Sequence, residues 1–134
     1  MTEHLYSIET ANDLLPWLEE KFTTVRPIRD ELATRQEALL DLLRRRGNNG
    51  HSSSEEVILT TREEVDRLTA QIQAVLKEIN DLGILVRDVG MGLVDFPGDR
   101  DGRSVYLCWR SGEQTVSFWH ETNVGFTDRQ PLQN

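Results

Sequence analysis

VDRLTAQIQAVLKEINDLGILVRD, residues 65–88, decides the fold, because one periodicity gives way to another inside it. Val65, Leu68, Ile72, Val75, Ile79 and Leu82 recur at alternating gaps of three and four, a narrow apolar seam on a helix. A seam of that width suits lengthwise packing against a second helix. Gly83 follows the last seam residue, where helices commonly end in a conformation that glycine adopts without strain. Beyond it Ile84, Val86 and Asp88 alternate with period two and read as a first strand. A helix that passes directly into a strand predicts an α+β chain.

Upstream, Thr61 and Glu64 have capping-box spacing, and Val57-Ile58-Leu59 add an earlier turn, giving a second helix over 55–82. The run 47–54, Gly-Asn-Asn-Gly-His-Ser-Ser-Ser, contains only small, polar or turn-forming residues and reads as a flexible connection. His51 lies in it without neighbouring ligands and reads as solvated. The first helical arm spans 7–46. Ser7 caps it, Glu9 favours its first turn, and a short helix from Ile8 to Leu15 ends at Pro16, a position for a kink or restart. From there Leu18, Phe22, Val25, Ile28, Leu32, Leu39 and Leu43 form a stripe with a polar gap at Arg35 and Gln36, and Pro27 introduces a bend. Arg44-Arg45-Arg46 closes the arm, where cations complement the negative end of the helix dipole. Two long helices joined by a short loop make an antiparallel hairpin.

Downstream, Val89-Gly90-Met91-Gly92 reads as a bend and 93–96 as a second strand stopped by Pro97-Gly98. Asp99 to Gly102 is a turn, and 104–110 and 115–120 are further strands linked through Ser111-Gly112-Glu113. The expected architecture is a single α+β domain over 1–134. A short N-terminal helix and a long helical hairpin pack on an antiparallel β-meander of three to four strands at 84–120, followed by a tail at 121–134.

The chain has 134 residues, 37% hydrophobic and 28% charged, which suits one folded domain. A net charge of −8 opposes approach to a phosphate backbone, so nucleic acid is not expected as a partner. The N-terminal segment has neither a basic start nor an apolar run, and no stretch has the length that spans a bilayer, so no membrane is expected either. Cys108 is the single cysteine and reads as a buried thiol in a reducing compartment, which places the protein in the cytoplasm.

Several words of the chain are unusual and occur in order: Tyr6-Ser7-Ile8-Glu9-Thr10-Ala11-Asn12-Asp13-Leu14-Leu15-Pro16, Gly92-Leu93-Val94-Asp95-Phe96-Pro97, Tyr106-Leu107-Cys108-Trp109-Arg110, Phe118-Trp119-His120-Glu121 and Gly125-Phe126-Thr127-Asp128-Arg129-Gln130-Pro131-Leu132. Together they resemble a bacterial family catalogued as domain of unknown function 2203. The resemblance implies a small cytoplasmic bacterial protein. It implies no reaction, and no catalytic residue carries over from it.

The residues able to carry chemistry lie in the sheet and tail: Asp95, Asp101, His120, Glu121 and Arg129. An imidazole with carboxylates can hold a divalent cation or act as a base with its orienter. Adjacent His120 and Glu121 point to opposite faces of a regular strand, so both reach one ion only at a bulge or strand end. Structural hydrogen bonds and ion pairs outweigh catalysis here. Arg129 reads as a tether from the tail to Asp95 or Glu121, and Trp109, Phe118, Trp119 and Phe126 read as core or cross-strand partners. No zinc, redox or phosphate-loop motif is present, so no cofactor is expected.

Lengths point to self-association. A helix of about thirty residues runs about 45 Å, whereas a strand of five or six covers about 17–20 Å. The sheet therefore leaves the loop end of the hairpin uncovered, and that end is apolar. Leu39, Leu40, Leu42 and Leu43 spread over an arc of about 160°, with Val57, Ile58 and Leu59 beside them. Contiguous apolar surface of this sort marks an interface, and a two-fold homodimer would cover it. The expected function is a non-enzymatic self-associating or protein-interaction module. The alternative is a metal- or small-anion-binding protein, an enzyme in one version, with its site on the sheet and tail side.

Overall fold

A computed structural model describes residues 5–49 and 54–132. Its elements are α1 (Ile8–Asp13), α2 (Leu15–Asn49), α3 (Ser54–Asn80), β1 (Leu85–Asp88), β2 (Leu93–Arg100), β3 (Arg103–Arg110), β4 (Phe118–Glu121) and β5 (Gln130–Pro131), with a 3₁₀ turn at Phe126–Asp128. The strands form one antiparallel sheet in the order β1-β2-β3-β4-β5, so the chain is α+β with a meander. His51, expected in a solvated connection, lies outside the described residues. The chain divides into two compact units, one of residues 1–23 and 76–134, the other of residues 24–75. Among the described residues no helix is long and apolar enough to cross a membrane.

In the first unit, Ser7 caps α1 reciprocally. Its Oγ accepts from Thr10 N at 3.0 Å, and Thr10 Oγ1 accepts from Ser7 N at 2.9 Å. Pro16 stands in the first turn of α2, where its missing N–H costs nothing, so the helix restarts there. Gly83 has φ 81°, the left-handed conformation expected after α3. The register Val94↔Trp109, Phe96↔Leu107 and Leu107↔Trp119 sets these side chains on one face, and all are buried. Ala11, Leu15, Leu18, Phe22, Ile79 and Ile84 are buried as well. Two polar contacts tie the helices to the β3–β4 connection. Asn12 Oδ1 accepts from Val116 N at 2.7 Å, and Glu19 accepts from Ser111 Oγ at 2.5 Å and Gly112 N at 2.9 Å.

Three strand expectations need correction. Pro97 and Gly98 do not stop β2, which continues to Arg100. Tyr6 N donates to Pro97 O at 2.8 Å, so that carbonyl points away from β3. In an antiparallel pair the N of the same residue points the same way, and the absent N–H therefore breaks no bond to β3. The turn contracts to Asp101-Gly102, with φ of 54° and 81°, a two-residue hairpin between paired Arg100 and Arg103. The sheet has five strands rather than three to four. Residues 130–131 of the tail pair with β4, a segment too short to show any periodicity.

In the second unit, α2 runs unbroken through Pro27 and on through Gly47 to Asn49, so the helix consumes the first residues of the expected connection. Thr61 is not a cap. α3 begins at Ser54 with Glu55 and Glu56 in its first turn, and Thr61 is buried within the helix. Arg46 bonds Glu55 at 3.1 Å and Arg45 bonds Asp41 at 2.9 Å. Arg35 lies 3.8 Å from Glu64, and its buried Nε has no hydrogen-bond partner among the described residues. Ile58, one of the expected interface residues, is 4% exposed and so is no part of an open surface, whereas Leu40, Val57 and Leu59 are 59%, 50% and 59% exposed.

A Cβ added at Gly98 would lie 3.2 Å from both Leu107 Cγ and Tyr6 O, closer than ordinary van der Waals contact. Gly98→Ala is therefore expected to lower stability by about 1–3 kcal/mol in urea denaturation. An unchanged midpoint would mean that the Tyr6 segment yields freely.

Candidate functional site

The opposite face of the sheet is unusual because polar side chains are buried on it. Asp95 on β2 stands across from Cys108 on β3, and Tyr106 on β3 stands across from His120 on β4. Alternation brings Asp95, Cys108 and His120 to the same side. Asp95 is 2% exposed, His120 1% and Cys108 0%. One ligand-capable atom from each lies within 4.8 Å of the other two.

Each member has a defined second partner. His120 Nδ1 lies 2.8 Å from the carbonyl oxygen of Glu121. A carbonyl can only accept, so Nδ1 carries a proton and donates it. Nε2 then faces Asp95 Oδ1 at 3.0 Å, and one proton sits between them. The other oxygen of Asp95 accepts from Arg87 Nε at 2.8 Å. Arg87 reaches it from β1 where a bulge between Val86 and Asp88 leaves Arg87 with no residue opposite. Burial pushes the Cys108 thiol up to about 12, with the charge of Asp95 adding to the shift and Arg129 opposing it. Cys108 is therefore a neutral thiol at physiological pH.

The C-terminal segment covers part of this face. The Arg129 guanidinium lies over Phe118 at 3.9 Å and Phe126 at 4.4 Å and bonds Glu113 through two nitrogens, at 2.6 and 3.2 Å. Its Nη1 is also 4.0 Å from Cys108 Sγ. Between β1, β2 and the 122–126 loop lies a cleft of about 400 Å³ lined by Arg87, Leu93, Asp95, Asn123, Val124 and Phe126, among others. Asp95 belongs to both the buried cluster and the cleft wall.

Of the five candidate residues, the structure brings two together, Asp95 and His120. Asp101 is exposed on the β2–β3 hairpin. Glu121 turns to the opposite face, as strand alternation requires, and pairs with Arg103 at 2.9 Å. Arg129 does tether the tail, but to Glu113 rather than to Asp95 or Glu121. Trp109 and Trp119 are buried in the apolar face, and Phe118 and Phe126 flank Arg129. Sequence reasoning missed Arg87 and Glu113, and it read Cys108 as a buried thiol, as the structure shows it to be. Strand alternation with the observed register sets Cys108 on the face of Asp95; no local signal marks the other two.

The family described as "Uncharacterized conserved protein (DUF2203)" matches residues 4–132, and the chain belongs to it. Neither a curated protein nor a solved structure matches the chain.

The Arg129 and Glu113 pair has a pH signature. Burial pushes the Glu113 carboxyl up, but the hydrogen bonds from Arg129 and from Arg110 N, with the charges of both arginines, hold it below its ordinary value. A depressed folded-state pKa contributes stability above the unfolded value of about 4.3, and that stability is lost as pH falls through the folded value. Glu113→Gln is therefore expected to be less stable than the parent chain at pH 7. The gap should close on acidification below pH of about 4, followed by thermal denaturation at each pH. A gap independent of pH would exclude this ion pair as its source.

Proposed function

We propose that the protein binds a small anionic ligand in the cleft beside Asp95. The observation that carries this reading is the buried Asp95 and His120 pair standing next to that cleft, with Arg87 on the wall. Burying charged groups is costly, and well-packed apolar side chains of similar volume would stabilise a sheet face at least as well. Polar groups that converge at a concavity are better explained by a ligand than by folding. Arg87 bonds Asp95 through Nε alone, and its side chain is 44% exposed. Its fork supplies the donors that carboxylates and phosphates match. Leu93, Val124 and Phe126 line the same cleft and suit a short apolar portion. The lone buried thiol supports a cytoplasmic location.

Thermal shifts in metal-depleted buffer test the reading, with inorganic phosphate, malonate and succinate as probes. A probe at about 100 times its Kd stabilises by about 2.7 kcal/mol, several degrees in a chain of this length. One of the three is expected to raise the Tm of the parent chain but not of Arg87→Met. No shift with any probe at about 10 mM, a concentration that would reveal a Kd near 1 mM, or an undiminished shift in the variant, would overturn it.

A second reading rests on a different observation, the exposure of Leu40, Val57 and Leu59 on the helices of the second unit. Two copies packing these side chains together would remove apolar surface that a helix pair alone leaves wet. Light scattering at micromolar concentration is expected to give a dimer mass that falls to monomer when Leu40 and Leu59 are both changed to Lys. A monomeric parent chain would end this reading.

A further inference from the structure

We propose that Asp95, Cys108 and His120 form a binding site for a divalent transition metal of the zinc class. The inference rests on reading this face of the sheet as a ligand site and deepens it. Two observations support it independently of the cleft.

The first is the donor set. Imidazole nitrogen, thiolate and one carboxylate oxygen are the ligands that zinc takes, three from protein and a fourth position left open at a reactive centre. They come from three adjacent strands and not from a loop. Bond lengths of about 2.0 Å to nitrogen and oxygen and 2.3 Å to sulfur put tetrahedral ligand atoms about 3.3–3.6 Å apart. Here His120 Nε2 and Asp95 Oδ1 are 3.0 Å apart and all three donor atoms fall within 4.8 Å.

The second is the set of groups behind the ligands. Metal-binding histidines usually donate the other ring N–H to a carbonyl or carboxylate, which fixes the tautomer and aims the free nitrogen. His120 already does this through Nδ1 to the Glu121 carbonyl. Arg87 holds the outer oxygen of Asp95, and Arg129 lies beside the sulfur of Cys108. Asp95 and His120 are thus each held by a second hydrogen bond, and Cys108 has Arg129 beside it.

Binding would release to solvent the thiol proton of Cys108 and the hydrogen-bond proton between Nε2 and Oδ1. Of the three residues, Asp95 also lines the neighbouring cleft.

The test is a titration of the full chain, purified through a chelator and then freed of it, with Co(II) followed by Zn(II). One equivalent of Co(II) is expected to saturate a thiolate-to-cobalt charge-transfer absorption, and one equivalent of Zn(II) to abolish it. Cys108→Ser, checked for its fold by circular dichroism, is expected to lose the absorption. Asp95→Asn is expected to weaken zinc by about 10-fold or more. No saturable absorption in the parent chain, or one that survives Cys108→Ser, overturns the proposal, and the parent-chain arm needs no variant to fold. Because the anion shifts are read in metal-depleted buffer, the metal can fail while Arg87-dependent anion binding stands, or the reverse.

Discussion

The burial of Asp95 is the constraint to which the rest of this sheet answers. A carboxylate at 2% exposure needs partners on every side, and they come from different strands. His120 reaches one oxygen from β4, and Arg87 reaches the other from β1. Cys108 stands across from Asp95 on β3. A register slip of one residue in β2 would turn Asp95 toward Phe96's side of the sheet and leave an unpaired charge among Trp109, Leu107 and Trp119. The cluster is costly, and it specifies the register. The bulge in β1 belongs to the same logic, since it frees Arg87 from cross-strand pairing and lets it reach sideways.

The C-terminal segment follows from the polar face in turn. Phe118, one residue from Trp119, has its ring on the side of Cys108, where water would otherwise lie against the cluster. Arg129 covers that ring and is itself covered by Phe126, while its fork is spent on Glu113. Glu113 accepts from Arg110 N at 2.9 Å, and its carbonyl accepts from Trp109 Nε1 at 2.9 Å, which joins the end of β3 to the tail. A segment with only two residues of strand is thereby fixed by side chains as well as by its short ladder.

The elements were legible where one period ran long enough to be counted. The apolar seam from Val65 to Ile79 revealed α3, whereas Leu82, expected as its last residue, lies beyond the end at Asn80 in the turn that Gly83 closes. Where a single residue type carried the signal, context overrode it. Pro97 looked like a stop, yet its missing donor lies on the free side of β2; Thr61 looked like a cap, yet the helix had already begun two turns earlier. The same division holds for the site. Asp95 and His120 were legible as ionisable side chains on expected strands, while their burial shows only in the structure. Arg87 and Glu113 look like ordinary surface charges, because only a bulge and a tail crossing bring them to their partners. Cys108 is the buried thiol that its apolar stretch predicts, and what the sequence does not show is that Asp95 and His120 lie beside it.

The two compact units divide the work of stability unevenly. Among the described residues of 24–75 the buried apolar side chains are Val25, Ile58 and Leu68, beside a buried Thr61 and an Arg35 Nε without a hydrogen bond. Burial within this unit is thin whatever the propensity of its helices. The sheet unit buries Trp109, Phe96, Phe22, Leu18 and Ile84 completely. With burial at about 25 cal/mol per Å², the folding free energy is concentrated on one face of the sheet. That surplus is what lets the other face hold a carboxylate, an imidazole and a thiol out of water, an arrangement that a domain with a thinner core would not survive.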